Sequence, residues 1–187
     1  MASTSVGIKR NNGGSSNRYM HTMSKIINLK DLLEKIRLFH RQGKKIVFTN
    51  GCFDIMHVGH VRYLSTAKAK GEILVVGLNS DKSVNAIKGE KKPIICEAQR
   101  AEVLAGLWCV DYITVFNEPD PLKLIQAIKP DVLVKGSDWP EDKIIGADFV
   151  KSNGGQVVRV PLVPEISTSS IIQKILTVHS SQFTVHG

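Results

Sequence analysis

Lys45-Ile46-Val47-Phe48-Thr49-Asn50-Gly51-Cys52-Phe53-Asp54-Ile55-Met56-His57-Val58-Gly59-His60 runs from an apolar strand through a glycine-containing turn into the start of a helix. Four further short runs share its β-branched character, near 73–79 (ILVVGLN), 110–115 (VDYITV), 131–135 (DVLVK) and 156–160 (QVVRV). Each is apolar nearly throughout, which means burial on both faces, and a helical pattern separates each from the next. Strands alternating with helices in this way predict an α/β fold, a doubly wound five-stranded parallel sheet.

The helices can be read from their stops. Asn28 is a candidate N-cap for a leading helix carrying Leu32, Leu33, Ile36 and Phe39 at helical spacing and ending at Gly43. Further helices are expected over Val58 to Lys70, Glu97 to Trp108, Pro121 to Ile128 and Ala147 to Ser152, and one is expected to carry Ile171, Ile172 and Ile175. Pro and Gly punctuate their ends. Lys88, Lys91 and Lys92 read as one loop between Asp81 and the helix of Arg100.

The bulk properties narrow the class. The 187 residues suit one domain with a core of its own, and 42% apolar with 22% charged residues are globular values. Residues 1–22, rich in Ser, Asn and Gly, read as a disordered extension, and 23–187 as a single domain. No apolar run approaches the roughly 18 residues of a membrane span. Cys52, Cys96 and Cys109 are odd in number and form no CxxC pair, so neither a disulfide framework nor a zinc knuckle is indicated, and a reducing, cytoplasmic setting is expected. Lys9, Arg10 and Arg18 lie in a tail without acidic residues, so the formal charge of +8 falls to +5 for the rest. No basic block interleaved with aromatics is present, which argues for a solvated surface or a phosphate pocket and against nucleic acid.

In a doubly wound sheet, ligands bind beyond the carboxyl ends of the strands, where the opening stretch lies. It is neither the GxGxxG of dinucleotide sites nor the GxxxxGK[ST] of P-loops. His57 and His60 instead flank Gly59 near a helix start, where free N–H groups and the dipole favour an anion. Two imidazoles aimed at one position can donate to phosphate oxygens whose charge grows as a phosphoanhydride breaks. A zinc pair and ordinary surface histidines are the competing readings. Gly59 has no side chain, so a phosphate or base can approach the backbone closely. Ile166-Ser167-Thr168-Ser169-Ser170 precedes an apolar helix and offers hydroxyls and amides together. Val134-Lys135-Gly136-Ser137-Asp138-Trp139 ends the fourth strand on the same side; Lys135 and Asp138 are candidates for a sugar phosphate or its hydroxyls, and Trp139 for an apolar wall or a core residue. Cys52 reads as a small packing residue, since no base is placed to ionise it.

From about Lys44 to Ile175 the chain resembles the HxGH-type nucleotidyltransferases, whose fold is Rossmann-like. Thr49 to His60, Asn79-Ser80-Asp81, Leu133 to Trp139 and Ile166 to Ile172 are similar to the adenylyltransferase domain of bifunctional heptose-phosphate kinase/adenylyltransferases, here expected as a free-standing version. Glycerol-3-phosphate cytidylyltransferases share related elements, but an arginine usual in their signature is Leu162 here. The resemblance implies His57, His60 and Lys92 as catalytic residues. It implies Gly51, Cys52, Phe53, Gly59, Arg100, Ser167, Thr168 and Ser169 against the nucleotide, with Arg100 and Lys92 facing phosphates. Asp54, Asn79, Asp81, Lys88, Lys135, Asp138 and Trp139 are the implied acceptor-binding residues, Asp54 chiefly as a hydrogen-bonding brace for the loop. The implied reaction is attack of a sugar 1-phosphate on the α-phosphorus of ATP, with Mg²⁺ held by the nucleotide's phosphates and by no protein side chain. A homodimer is implied, with neither nucleic-acid nor membrane partners. The alternatives are a CTP-using enzyme and a non-catalytic nucleotide-binding module.

Overall fold

A computed structural model describes residues 20 and 22–182. The expectation for residues 1–22 lies almost wholly outside these; Met20, Thr22 and Met23 already belong to a helical turn. Elements follow in the order α1 (Leu29–Arg41), β1 (Ile46–Gly51), α2 (Val58–Lys68), β2 (Ile73–Asn79), α3 (Asp81–Lys88), α4 (Glu97–Ala105), β3 (Tyr112–Phe116), α5 (Leu122–Ile128), β4 (Val132–Gly136), a 3-10 turn (Glu141–Lys143), α6 (Ala147–Ser152), β5 (Gln156–Val160) and α7 (Thr168–Gln182). The five strands form one sheet in the order β3-β2-β1-β4-β5, every pair parallel. The doubly wound sheet expected from the five runs is therefore present.

Alternation along the strands explains why the central runs are mostly apolar, whereas the edge strands β3 and β5 expose Val115, Gln156 and Arg159, so the expected burial on both faces holds only for the inner strands. Val47, Leu74, Val76, Ile113, Val132 and Val134 face one side, where Tyr63, Leu64 and Ala67 of α2 and Ala101, Leu104 and Ala105 of α4 cover them. Ile46, Phe48, Ile73, Val75 and Leu133 face the other, against Leu32 and Ile36 of α1, Leu124, Ile125 and Ile128 of α5, and Ala147 and Val150 of α6. Burying a side chain of this size is worth about 1.5–3 kcal/mol, so neither face could be left to water. Asn28 caps α1 as read, its side chain accepting from Asp31 N–H at 3.0 Å.

Three boundaries depart from the sequence reading. Asp81–Lys88 is a helix, not loop. Its N-cap Ser80 accepts from Ser83 N–H at 3.1 Å, and eight residues with Val84 as their one buried apolar side chain are too few to show a period. α4 stops at Ala105, capped at Gly106, so Trp108 lies outside it and is 74% exposed. α2 ends at Lys68, two residues short of the expected end.

The topology creates the crevice. β1 neighbours β2 on one side and β4 on the other, and the β1–β2 ladder runs the full length from Ile46↔Ile73 to Gly51↔Leu78. Pairing of β1 with β4 covers only Val47↔Val132 and Phe48↔Leu133. The strands then diverge toward their carboxyl ends, where the chain order reverses.

Candidate active site at the carboxyl ends of β1 and β4

Phe53 starts the site-forming turn with a left-handed backbone, φ 45°, a conformation rare for a bulky residue and one that clusters at functional sites. Its ring folds into the core and passes beneath Gly51, where an added Cβ would come within 3.0 Å of Phe53 Cε2. Asp54 is 7% exposed and accepts from Ile94 N–H at 2.9 Å and from Ile95 N–H at 2.8 Å. Lys92 Nζ stands 3.9 Å from its carboxylate. Asp54 thus braces the 92–95 loop against the β1–α2 turn, the bracing role expected for it, and its geometry gives no support to acceptor contact.

His57 is the N-cap residue of α2, and the first turn carries the ring of His60 back onto it. The two imidazoles stack with centroids 3.9 Å apart and planes at 27°. Phe53 meets His60 edge-on at 5.3 Å. Gly59 has a more specific duty than open access: a Cβ there would lie 2.9 Å from both Cε1 and Nδ1 of His57. Only hydrogen at this position lets the His57 ring lie over the helix turn.

Burial pushes the His57 pKa down from its ordinary value. His60 is pushed down to about 4, by burial first and then by its neighbours His57 and Lys88. Both rings are therefore neutral near pH 7 in the free protein, and act as dipolar donors rather than cations.

Four buried side-chain polar atoms among the described residues lack a hydrogen-bond partner, and three are His57 Nδ1, His60 Nδ1 and Lys92 Nζ. Such an atom costs about 1–3 kcal/mol unless something completes it. The two imidazole nitrogens share one site, since their rings stack, and Lys92 reaches it through the Asp54 brace; unpaired polar atoms of this kind call for a polar ligand.

The remaining expected residues divide between the crevice and its scaffold. Lys88 ends α3 and acts electrostatically on both His60 and Cys52. Lys92 lines a shallow polar groove with Asp81, Lys82, Asn85 and Glu90. Cys52 is half-buried, and desolvation raises its thiol pKa, which fits a packing residue. Ser167 caps α7, accepting from Ser170 N–H at 3.0 Å, and Thr168 Oγ1 donates to Ile55 C=O at 3.3 Å. The Ser167–Ser169 turn is thereby tied to the loop ahead of His57, while Ser169 is exposed.

Arg100 is the main correction. Its side chain is fully buried; Nε donates to Ile95 C=O at 2.9 Å, Nη1 to Cys52 C=O, and Nη2 to Asn79 C=O at 2.9 Å and Asp81 Oδ1 at 2.7 Å. A guanidinium so engaged ties three loops together and does not face phosphates. Asn79, 3% exposed and donating to Ser83 Oγ at 2.9 Å, belongs to the same scaffold, while Asp81 both pairs with Arg100 and lines the groove of Lys92.

At the end of β4, Lys135 Nζ donates to Asn50 Oδ1 across the gap. Desolvation pushes the Lys135 pKa down to about 8 against the opposing field of Asp138. Asp138 is exposed, its Oδ1 turned back over Gly136. Trp139 is 51% exposed, so it is not a core residue. Sequence reading missed Asn50 and Tyr63. Tyr63 OH meets Thr49 Oγ1 at 2.7 Å and donates to Val134 C=O at 3.0 Å. No local signal marks either residue, because the bonds that reach β4 span 71 residues from Tyr63 to Val134 and 85 from Asn50 to Lys135.

Known proteins resemble the chain in sequence and fold. The cytidylyltransferase-like family model matches residues 48–174. The bifunctional protein HldE of Geobacter metallireducens is 52% identical over 159 residues, covering 85% of this chain and 32% of that protein. HldE of Methylobacillus flagellatus is 51% identical over 151 residues, 81% of this chain and 31% of that one. The chain thus spans about a third of the length of these relatives. The crystal structure of a lipopolysaccharide core biosynthesis protein from Thermoplasma volcanium superposes with a TM-score of 0.54 at 31% identity, covering 65% of this chain and 98% of that one. A pantoate-beta-alanine ligase from Francisella tularensis shares the fold, with a TM-score of 0.58 at 18% identity over 81% of this chain and 78% of that one. With the HxGH turn, the 3-2-1-4-5 sheet and a family match over residues 48–174, the chain belongs to the cytidylyltransferase-like family of nucleotidyltransferases.

Proposed function

We propose that this chain transfers AMP from ATP to D-glycero-β-D-manno-heptose 1-phosphate, giving ADP-heptose and pyrophosphate for lipopolysaccharide or related surface-glycan precursors. The observation that carries nucleotidyl transfer is the stacked His57–His60 pair with both Nδ1 atoms buried and unpaired. The choice of acceptor rests on the HldE relatives and on the likeness to the lipopolysaccharide core biosynthesis protein of Thermoplasma.

A phosphomonoester loses its second proton near pH 6, so the acceptor oxygen is already a nucleophile at neutral pH and no general base is needed. The oxygen attacks the α-phosphorus, a P–O bond forms, and the bond to the β-phosphate oxygen breaks with its electron pair leaving on pyrophosphate. Neutral His57 and His60 donate N–H groups to the oxygens that gain charge. Lys92 supplies the fixed positive charge, and the Ser167–Ser169 turn presents amides and hydroxyls. The nucleotide base lies against the main chain of Gly51 and Cys52. Imidazole, amide and ammonium groups line the crevice, a donor set that fits a metal carried by the phosphates; Mg²⁺ bound there neutralises triphosphate charge. ATP and sugar phosphates are cytoplasmic metabolites, and we place the activity there. We also infer a homodimer, on the habit of the superfamily.

The family description favours a second reading, a CTP-using enzyme for a polyol phosphate. Leu162, 46% exposed, occupies the place of that group's arginine and speaks against it. Pyrophosphate release should be measured with ATP and CTP, each against heptose 1-phosphate and glycerol 3-phosphate. Turnover with ATP and heptose 1-phosphate alone is the expected result. Preference for CTP overturns the choice of nucleotide, and silence with every pair points to a non-catalytic binding module.

A further inference from the structure

The gap between β1 and β4 is bridged by side chains in a graded way. The ladder ends at Phe48↔Leu133. One step further, Tyr63 OH spans Thr49 Oγ1 and Val134 C=O; two steps further, Asn50 Oδ1 takes the hydrogen bond of Lys135 Nζ. The hydroxyl bridges on the α2 side, while Asn50 and Lys135 share the sheet face of Phe48 and Leu133.

The partner of this ammonium is an amide, which orients a cation without cancelling its charge. Around it stand Asp138 from the loop after β4 and Arg159, its register partner on β5. Arg159 Nη2 is directed to Ser137 C=O at 2.8 Å, and Lys135 forms no salt bridge among the described residues. A largely desolvated lysine held by a neutral acceptor retains its attraction for an incoming dianion; a carboxylate in the same place would consume it.

We infer that Asn50 is a positioning residue that holds the Lys135 ammonium, outside any direct ion pair, at the mouth of the β1/β4 crevice to receive the phosphate of the acceptor. The inference rests on the proposed nucleotidyl transfer and adds the residue that tunes its acceptor subsite. Lys135 is the group that touches the phosphate. Asn50 acts through it.

The test uses the full chain, wild type, Asn50→Asp and Asn50→Ala. Asn50→Asp should raise the KM for sugar 1-phosphate about tenfold or more, the equivalent of one or more units of pKa coupling, and leave the KM for ATP within about twofold. The alkaline limb of kcat/KM for the acceptor should move upward in Asn50→Asp and downward in Asn50→Ala, because one variant stabilises the ammonium and the other strips its hydrogen bond. Equal changes in both KM values, or an unmoved limb in both variants, would overturn the inference. A second readout is independent of turnover: the Lys135 side-chain NMR signal, titrated with inorganic phosphate. It should shift in the wild type and much less in Asn50→Asp. If the wild type releases no pyrophosphate yet its Lys135 signal responds as stated, the proposed reaction fails while the subsite stands; no response to phosphate removes the subsite.

Discussion

Replacing Gly59 by alanine separates stability from catalysis in a single atom. The new Cβ would stand 2.9 Å from Cε1 and Nδ1 of His57 and 3.5 Å from Ile166 Cγ2. Carbon contacts settle at about 3.5–4.0 Å, so the imidazole must retreat by roughly half an ångström or more, or rotate to another well. Either movement breaks the 3.9 Å stack on His60 and misaims the donor. Loss of one such donor costs on the order of 10²-fold in kcat. The fold should not suffer. Gly59 lies in the first turn of α2, its φ is not left-handed, and alanine is favoured over glycine in helices by up to about 1 kcal/mol. The expected result is a Tm equal to or slightly above wild type with kcat reduced roughly 100-fold, followed by pyrophosphate release under saturating ATP and sugar 1-phosphate. His57→Ala supplies the control: if Gly59 acts only by making room for that ring, the double variant should be no slower than His57→Ala alone. Near-normal turnover of Gly59→Ala, or full additivity in the double variant, would refute the reasoning.

Three further outcomes follow from the same geometry. Arg100→Met should lower stability by about 3 kcal/mol or more, since it leaves the carbonyls of Cys52, Asn79 and Ile95 unpaired around a vacated charge site; denaturant unfolding measures this, and a stable variant with a raised KM for ATP alone would restore Arg100 to the phosphates. Because the His60 pKa is lowered to about 4, a bound triphosphate should raise it and draw in protons between about pH 4 and 6.5; calorimetry in buffers of different ionisation enthalpy should detect uptake at pH 5.5, and clearly less in His60→Ala, where only His57 is left to take up a proton. The Lys135 pKa of about 8 lies below the 10.5 of an unfolded lysine, so the unfolded chain binds more protons between these values and this group's contribution to stability rises with pH there. Acceptor affinity runs oppositely, and the acceptor KM should climb once pH passes about 8, a rise that Lys135→Met should abolish.

Much of this protein was legible locally. Alternating strand and helix patterns, Asn28 as a cap and the HxGH turn depend on neighbours a few residues away, and the physics of caps, periods and helix N-termini acts over that distance. Asp81–Lys88 escaped for the same reason, since a helix with little apolar surface carries almost no period. Arg100 was misread because an arginine near phosphate-binding loops and one buried beneath them look alike until the carbonyls of Cys52 and Asn79, 48 and 21 residues away, are placed around it.

The sequence alone determined the parallel sheet, the place of the crevice and the histidine pair, because each is written in short-range spacing. Tertiary structure alone decided that Gly59 serves the His57 ring, that both imidazoles are neutral, and that Asn50 meets Lys135 across 85 residues of chain. Those properties depend on desolvation and on the divergence of β1 from β4, which exist only once distant segments have packed together.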